Sequence, residues 1–494
     1  MKPYQSNANL RRSGATWALS AVAALVLTAC ASSAGISSSA HTIEPAQLGL
    51  IGATAPANGS VQAQWWEAWG DPALTALVGQ ALAAHPSLQV VEARLAKASA
   101  AVAAEGGNAG PKLQFSADAT RQRFSATSIY PAPLGGSTQT LANAQFAGSW
   151  EIDFFGRHRA AIDAALGGQR AAQADAAAAR NLLASQVGQT YVQFGRLLAQ
   201  RTVAERALAQ REQMLGLIRQ RVDAGLDTQV ELRQGEGALP EARQSIEQIN
   251  ELIDNTRNAL AALAAVPAES LAALKPALSN ERLLVVPESV PANLLGTRPD
   301  IEAARWRIEA ATQGITAAKA QFYPNVNLTA FAGLSSIGLG NLVEAGSRQM
   351  GVGPAIHLPI FDSGSLRANL SNKTADLDSA VAAYNGAVLD AVRETADQLN
   401  TLQSLARQRA EQAQAQRAVE EAYAFAQQRY GAGLSGYLTL LNAENAVLAQ
   451  RRQAVDLHAR ALSAQVGLVR ALGGGYQPDP VPGTLARVAS APSQ

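Results

Sequence analysis

The sequence predicts a mostly α-helical chain that is interrupted by four membrane-crossing β-strands and built from two copies of one unit. Three observations predict this fold class: an internal repeat, two long stretches without proline, and four short segments in which apolar and polar residues alternate. The composition agrees, because 48% of the 494 residues are hydrophobic and only 16% are charged. Low charge with abundant alanine and glutamine is typical of long helices that pack through small side chains.

The repeat is visible without gaps in the alignment of the chain with itself. A shift of 208 residues brings Gly156, Arg221 and Gly225 onto Gly364, Arg429 and Gly433. A shift of 213 residues brings Pro86 and Pro111 onto Pro299 and Pro324. Glycine, proline and arginine matches in a fixed register indicate duplication, and each copy reads helix, strand, strand, very long helix, tight turn, helix.

The predicted strands lie near residues 112–123, 140–154, 325–334 and 351–361. In the first strand Leu113, Phe115 and Ala117 point one way, while the residues between them are polar. This period of two marks a half-buried strand. Two hairpins on a soluble globular core would show the same alternation, but the rest of the chain offers them little to pack on.

An apolar outer face and a polar inner face are typical of a membrane barrel. Four strands cannot close a barrel, and an open strand edge is prohibitive in lipid, so the chain must associate with copies of itself. Two copies would supply eight strands and three would supply twelve.

The long helices are predicted over residues 157–222 and 365–430. Each contains roughly 66 residues, or about 100 Å at 1.5 Å per residue. Apolar residues recur at spacings of three and four, as in Leu183, Val187 and Tyr191, which predicts a narrow coiled-coil seam. A plain coiled coil would explain the seam but not the strands.

The N-terminus resembles a bacterial lipoprotein signal. Basic residues precede an apolar run that ends at Leu27-Thr28-Ala29-Cys30, and Cys30 is the only cysteine in the chain. A lone cysteine is elsewhere usually a buried thiol. Here its position predicts cleavage before Cys30, acylation of that residue (N-acyl and S-diacylglycerol) and anchoring in the outer membrane. The predicted segments are the signal peptide 1–29, tether 30–60, first repeat 61–265, connector 266–298, second repeat 299–472 and tail 473–494.

Several function classes are excluded or disfavoured. The formal net charge of +1 gives no basic footprint for nucleic acid. The sequence contains no HExxH, CxxC pair or Walker A motif, and its histidines have no ligand spacing, so we expect neither an enzyme nor a bound metal or other cofactor.

Four motifs in order, beside the lipobox and the repeat, resemble the outer-membrane factor family, specifically the TolC-like efflux lipoproteins of the NodT type. The motifs are Trp65-Trp66-Glu67-Ala68-Trp69-Gly70-Asp71-Pro72-Ala73-Leu74, Arg298-Pro299-Asp300-Ile301, Phe322-Tyr323-Pro324-Asn325 and Leu358-Pro359-Ile360-Phe361-Asp362. The resemblance covers residues 60–475. It implies a homotrimer with a twelve-stranded outer-membrane barrel, continued by a periplasmic α-helical barrel with an equatorial belt at the connector.

The resemblance also implies partners and a role. Family members are passive exit ducts that work with a periplasmic adaptor (membrane-fusion) protein and an inner-membrane pump, here expected to be of the resistance-nodulation-division type. The same fold serves type I protein secretion, which stays open as an alternative. A non-conducting periplasmic scaffold of coiled coils is a second, less favoured alternative.

Two places in the chain are predicted to matter for that role. The turns between the long helices and their partners carry Gly225-Leu226 and Gly433-Leu434, which resemble the family's adaptor-docking tips. The resemblance places the pore constriction just beyond them, with Glu231, Tyr430, Thr439 and Asn442. There Tyr430 matches a family tyrosine that can bond to the acid at the position of Glu231. Thr439 and Asn442 stand where relatives often carry aspartate, and Ser435 replaces an arginine found in some members. The alternative is that Glu231 and Asn442 are merely solvated helix residues.

Overall fold

The computed structural model describes residues 32–48, 62–276, 294–359 and 362–477. Its helices of more than one turn and its strands follow one another in this order: α1 Pro72–Ala84, α2 Pro86–Ala109, β1 Lys112–Arg123, β2 Thr138–Ile152, α3 Arg157–Asp223, α4 Gln229–Ala264, α5 Pro299–Ala320, β3 Asn325–Ile337, β4 Arg348–His357, α6 Ser363–Gly431 and α7 Tyr437–Ala471. Short single turns lie at Pro45–Leu48, Trp65–Trp69, Ala268–Leu271, Leu294–Thr297, Leu339–Asn341 and Ala345–Ser347. Within the described ranges, no helix is long and apolar enough to cross a membrane.

The four predicted strands are present and form one antiparallel sheet in the order β1-β2-β3-β4. Their ends differ from the prediction at several places. Strand β3 continues to Ile337, because Leu141 of β2 still pairs with that residue. Strand β4 ends at His357, opposite Asn325 where β3 begins, rather than near residue 361. The pairing register of β3 therefore sets the ends that alternation alone could not fix.

The register gives the sheet one apolar and one polar face. Phe115 of β1 pairs with Phe146 of β2, which pairs in turn with Ala332 of β3. The rings of Phe115 and Phe146 lie 5.0 Å apart, yet both side chains remain exposed. Further exposed apolar side chains follow on the same face: Leu113, Trp150, Leu328, Met350, Val352 and Ile356. The opposite face carries mostly polar and small residues.

The described residues divide into two compact units. The first comprises 32–42, 95–171, 304–359 and 362–384, and it contains the sheet. The second comprises 43–48, 62–94, 172–276, 294–303 and 385–477. Helices α3 and α6 each contribute to both units.

The core of the second unit is built around three tryptophans. Trp65 packs edge-to-face against Trp66 and Trp69, with ring centroids 5.7 Å and 5.9 Å apart. Asp71 caps the N-terminus of α1 through the backbone N–H of Ala73, 2.9 Å away, and accepts a hydrogen bond from the hydroxyl of Tyr191. Burial, reinforced by Asp71, raises the pKa of that phenol, so it stays a donor at every physiological pH. The Trp-rich motif thus anchors the start of α1 against α3.

The two helical hairpins carry the same ion pair at equivalent positions. Arg243 Nη2 lies 3.2 Å from Glu212 Oε1, and Arg451 Nε lies 2.9 Å from Glu420 Oε1. The second pair is related to the first by the same shift of 208 residues that relates the two sequences. The side-chain contacts therefore follow the predicted repeat in this part of the hairpins.

Candidate functional site at the hairpin turns

The turns that close the two hairpins have the same backbone geometry. Gly225 and Gly433 adopt φ values of 73° and 74°, in the left-handed region that glycine enters without strain. The following leucine N–H groups donate back to arginine carbonyls, from Leu226 to Arg221 and from Leu434 to Arg429, each at 2.8 Å. This is the Schellman pattern that ends a helix. The glycines are therefore required by the turn itself, whatever else they contact.

Each turn presents a pair of exposed apolar side chains. Leu226 and Leu434 are 67% and 68% exposed. Val230 and Leu438, four residues further along and also exposed, extend the apolar surface into the first turns of α4 and α7. Sequence reasoning missed these two residues, although their equivalence under the shift of 208 would have indicated them.

Glu231 contacts the residue that precedes its own helix, α4. Its carboxylate accepts hydrogen bonds from the backbone N–H of Thr228, at 2.9 Å, and from the Thr228 hydroxyl. Thr228 in turn caps the backbone N–H of Val230, which completes a capping box at the start of α4. The Thr228 hydrogen bonds lower the pKa of the Glu231 carboxyl, so it stays ionised at neutral pH.

Within the chain the Tyr430 side chain bonds to Asp227, and the roles of Tyr430 and Glu231 at a constriction stay a prediction. The Tyr430 hydroxyl donates to Asp227 Oδ2 at 2.6 Å. Arg221 holds the same carboxylate with both forks of its guanidinium, Nε to Oδ2 at 2.9 Å and Nη2 to Oδ1 at 3.1 Å. The capping box already occupies Glu231, and Asp227 lies in the turn, next to the end of α6.

Arg221 also contacts Tyr430 directly. Its Nη1 donates to the Tyr430 carbonyl oxygen at 3.1 Å, and its guanidinium carbon lies 4.7 Å from the centre of the Tyr430 ring. Arg221, Asp227 and Tyr430 together form what we call the tip triad. It joins the first hairpin to the end of α6, and the Tyr430 side chain is completely buried within it.

The electrostatics of the tip triad stabilise its charged form. The hydrogen bonds from Arg221 hold the pKa of Asp227 below its usual value, against the opposing effect of burial. The bond to Asp227 raises the pKa of Arg221, and burial together with Asp227 raises the pKa of the Tyr430 phenol. At neutral pH the triad therefore holds one cation, one anion and one neutral donor.

The second turn has no equivalent carboxylate. Ser435 occupies the position of Asp227, and Arg429 donates instead to the Leu434 carbonyl oxygen at 3.3 Å. The Ser435 hydroxyl oxygen is buried and has no hydrogen-bond partner among the described residues. The two turns thus share a backbone but differ in their ionic contacts.

Thr439 and Asn442, both predicted at the constriction, lie on the exposed face of α7. The opposite face of this helix buries Tyr437, Leu440 and Glu444. The geometry brings neither Thr439 nor Asn442 into the tip triad. Their role at a constriction stays a prediction.

A second ionic cluster, missed from sequence, lies deeper in the hairpins. Arg211 Nε lies 3.2 Å from Glu444 Oε1, and both side chains are nearly buried. Arg211 also donates to Asn445 Oδ1 at 3.0 Å and to the Ala238 carbonyl oxygen at 3.2 Å. Burial raises the pKa of Glu444, although Arg211 opposes this effect. A contact between residues 233 positions apart leaves no local signal in the sequence.

Comparison with known proteins identifies the family. The sequence model described as "Outer membrane efflux protein" matches residues 77–266 and 290–474, most of the chain. The chain belongs to the outer membrane efflux protein family. The resemblance inferred from the motifs is therefore confirmed, and the matched ranges cover both long helical hairpins.

Named relatives and solved structures agree with this assignment. The chain is similar to the multidrug resistance outer membrane protein MdtQ of Escherichia coli O157:H7, with 32% identity over 87% of this chain and 92% of MdtQ. It is also similar to MdtP of Escherichia coli K12, with 32% identity over 86% and 88% of the two chains. Among solved structures, VceC of Vibrio cholerae matches with 34% identity, a TM-score of 0.79 and coverage of 84% of this chain and all of VceC. The channel OprN matches at 26% identity with a TM-score of 0.80 and coverage of 90% and 98%.

Membership of the outer membrane efflux protein family settles the class of protein. The chain is an outer-membrane efflux channel protein and not an enzyme. Within the described residues, no group of three or more histidine, cysteine, aspartate or glutamate side chains could hold a metal ion. Cys30, the predicted lipidation site, lies outside the described residues.

Proposed function

We propose that this protein is the outer-membrane channel of a tripartite efflux system, a passive exit duct for drugs and other small toxic solutes. In this proposal three copies close a twelve-stranded barrel, and an inner-membrane pump of the resistance-nodulation-division type drives export through a periplasmic adaptor. The observation that carries the proposal is the four-stranded sheet with an exposed apolar face, a polar face and two outer strands, β1 and β4.

The sheet needs partners to be stable in a membrane. Strands β1 and β4 each pair on one side only, so both leave a row of backbone groups without strand partners in the described chain. Such groups cost several kcal/mol each in hydrocarbon, which only a closed barrel avoids. Pairing β4 of one copy with β1 of the next would remove every edge.

The start of the described chain supports a lipid anchor on Cys30. Arg367, near the beginning of α6, donates to the Ser32 carbonyl oxygen at 2.6 Å. Further on, the Ser38 hydroxyl donates to Asp378 Oδ1 at 2.5 Å. The segment therefore follows α6 away from β4, and its earliest residues lie at the helix end that adjoins the sheet. A lipid carried two residues before Ser32 would be near the membrane.

The exposed apolar pairs at the turns support docking of an adaptor. Two similar small apolar patches are exposed there, one formed by Leu226 with Val230 and the other by Leu434 with Leu438. Leu226→Ala combined with Leu434→Ala should weaken adaptor binding roughly tenfold or more, because each change removes apolar surface whose burial against the adaptor is worth on the order of 1 kcal/mol. Leu252→Ala, an exposed leucine within α4, is the matched control and should leave binding unchanged.

The whole proposal is tested by reconstitution. Purified protein should crosslink to a trimer and form ion-conducting pores in planar bilayers, and Cys30→Ser should abolish labelling with a radioactive fatty acid. Crosslinking that stops at a dimer would refute the twelve-stranded barrel. A trimer that never conducts would indicate a periplasmic scaffold instead of a channel.

A further inference from the structure

Among the phenylalanine, tyrosine and tryptophan residues of the described strands, Phe331 alone lies on the polar face of the sheet. The register places Phe331 between Ala147 of β2 and Gly351 of β4. Phe115, Phe146 and Trp150 lie on the apolar face instead. Phe331 is 42% exposed.

The neighbours of Phe331 are small enough for its ring to lie across the sheet. A Cβ atom added at Gly351 would lie 2.7 Å from Phe331 Cε1 and 2.9 Å from Cζ, so the ring covers the position that a side chain would fill. On the other side Ala147 presents only a methyl group. One side of the ring is therefore supported by β4, and the exposed remainder faces away from the sheet.

Phe331 borders a recess of about 600 Å³ on the same face. Three glutamines, Gln114, Gln145 and Gln349, line the recess together with Lys112. Gln349 Nε2 donates to Gln145 Oε1 at 3.2 Å and to Asn143 Oδ1 at 3.0 Å, so this side chain is already oriented. The recess thus combines an open aromatic face with neutral amides that can donate or accept hydrogen bonds.

We propose that Phe331 is a stacking site for flat aromatic solutes with polar edges, which the three copies would present inside the barrel. This inference rests on the proposed function, since it requires the polar face to line the conducting path. A planar solute would lie against the outward side of the Phe331 ring, and the glutamine amides would bond to its edge. Aromatic side chains and amides at convergent positions are the usual lining of a small-molecule site.

The test uses wild-type trimers in planar bilayers, with caffeine as a flat neutral probe and glucose as a non-planar neutral probe of similar size. Caffeine should reduce the single-channel conductance at concentrations where glucose has no comparable effect. Phe331→Leu should raise the caffeine concentration for half-maximal reduction by roughly two- to twelve-fold, the range expected for loss of one aromatic pair. Phe146→Leu, an equivalent change one register position away on the apolar face, should leave it unchanged.

A second pair of variants displaces the ring without removing it. Gly351→Ala must push the Phe331 ring aside and should weaken the caffeine effect in the same direction as Phe331→Leu. Gly353→Ala lies on the same face of β4, where an added Cβ meets no atom within 4 Å, and should behave as wild type.

The outcomes separate this inference from the proposed function. Pores that respond equally to caffeine in the wild type, Phe331→Leu and Phe146→Leu would overturn the stacking site and leave the channel function intact. An equal response to caffeine and glucose would do the same. Wild-type protein that forms no pores would overturn the proposed function and the stacking site with it.

Discussion

The Tyr430 hydroxyl donates to Asp227 Oδ2 at 2.6 Å, and this bond joins the end of α6 to the turn between α3 and α4. Arg221 binds the same carboxylate through two guanidinium nitrogens, so the orientation of the carboxylate that accepts the tyrosine hydrogen bond is fixed. Charge-assisted hydrogen bonds of this kind are about twice as strong as neutral ones. In the proposed channel, the tip triad ties the two hairpins together at the turns.

Tyr430→Phe removes this bond and keeps the ring. We expect the variant to lose about 1.5–3 kcal/mol of stability at the turns, the usual contribution of a hydrogen bond to a charged group. In planar bilayers its pores should open more often or conduct more than wild type, because the hairpins are less tightly joined. Tyr423→Phe, on the same helix and about two turns earlier, is the matched control. Identical single-channel records for Tyr430→Phe and wild type would show that the bond does not restrain the mouth.

The contribution of Asp227 should depend on pH in a defined direction. Its pKa in the folded protein lies below the value in the unfolded chain, because Arg221 stabilises the carboxylate. The stabilisation is therefore complete above the unfolded value, about 3.9 for aspartate, and is lost as the pH falls through the folded value. Asp227→Asn should lower the thermal unfolding midpoint at pH 7, and the difference from wild type should shrink as the pH falls below about 4. A difference that stays constant between pH 7 and pH 3 would contradict the assignment.

The long helices, the strands and the turns could be predicted from the sequence, because each depends on a local residue pattern. Two proline-free stretches and four alternating segments indicated α3, α6 and the strands, while the repeat indicated that both hairpins end in the same kind of turn. The partner of Tyr430 could not be predicted in this way. Asp227 and Glu231 are four residues apart, and only the capping box shows that Glu231 is engaged by Thr228. The choice between two nearby carboxylates was decided by backbone hydrogen bonds that no residue pattern displays.

A carboxylate can be added to the second turn at Ser435, the position equivalent to Asp227 in the first. Ser435→Asp should give Arg429 the partner that Asp227 gives Arg221, and it replaces a buried hydroxyl that has no hydrogen-bond partner among the described residues. We expect a gain on the order of 1 kcal/mol in stability, measured as a higher thermal unfolding midpoint at pH 7. The gain should disappear in the double variant Ser435→Asp with Arg429→Gln. Ser435→Asn, which supplies no charge, is the matched control.

Asn442 offers a test of the predicted constriction. A ring of carboxylates in a narrow pore focuses negative potential and attracts cations, whereas amides supply only dipoles. Asn442 lies on the exposed face of α7, close to the turn, where an added charge is not neutralised by the buried Arg211–Glu444 pair on the other face. Asn442→Asp should therefore raise the preference of the pore for cations over anions and create a site at which divalent cations block the current. Asn442→Gln keeps the amide and should change neither property. Reversal potentials in a salt gradient, with and without a divalent cation, measure both effects. If Asn442→Asp matches Asn442→Gln in both measurements, residue 442 does not line the narrow part of the pore.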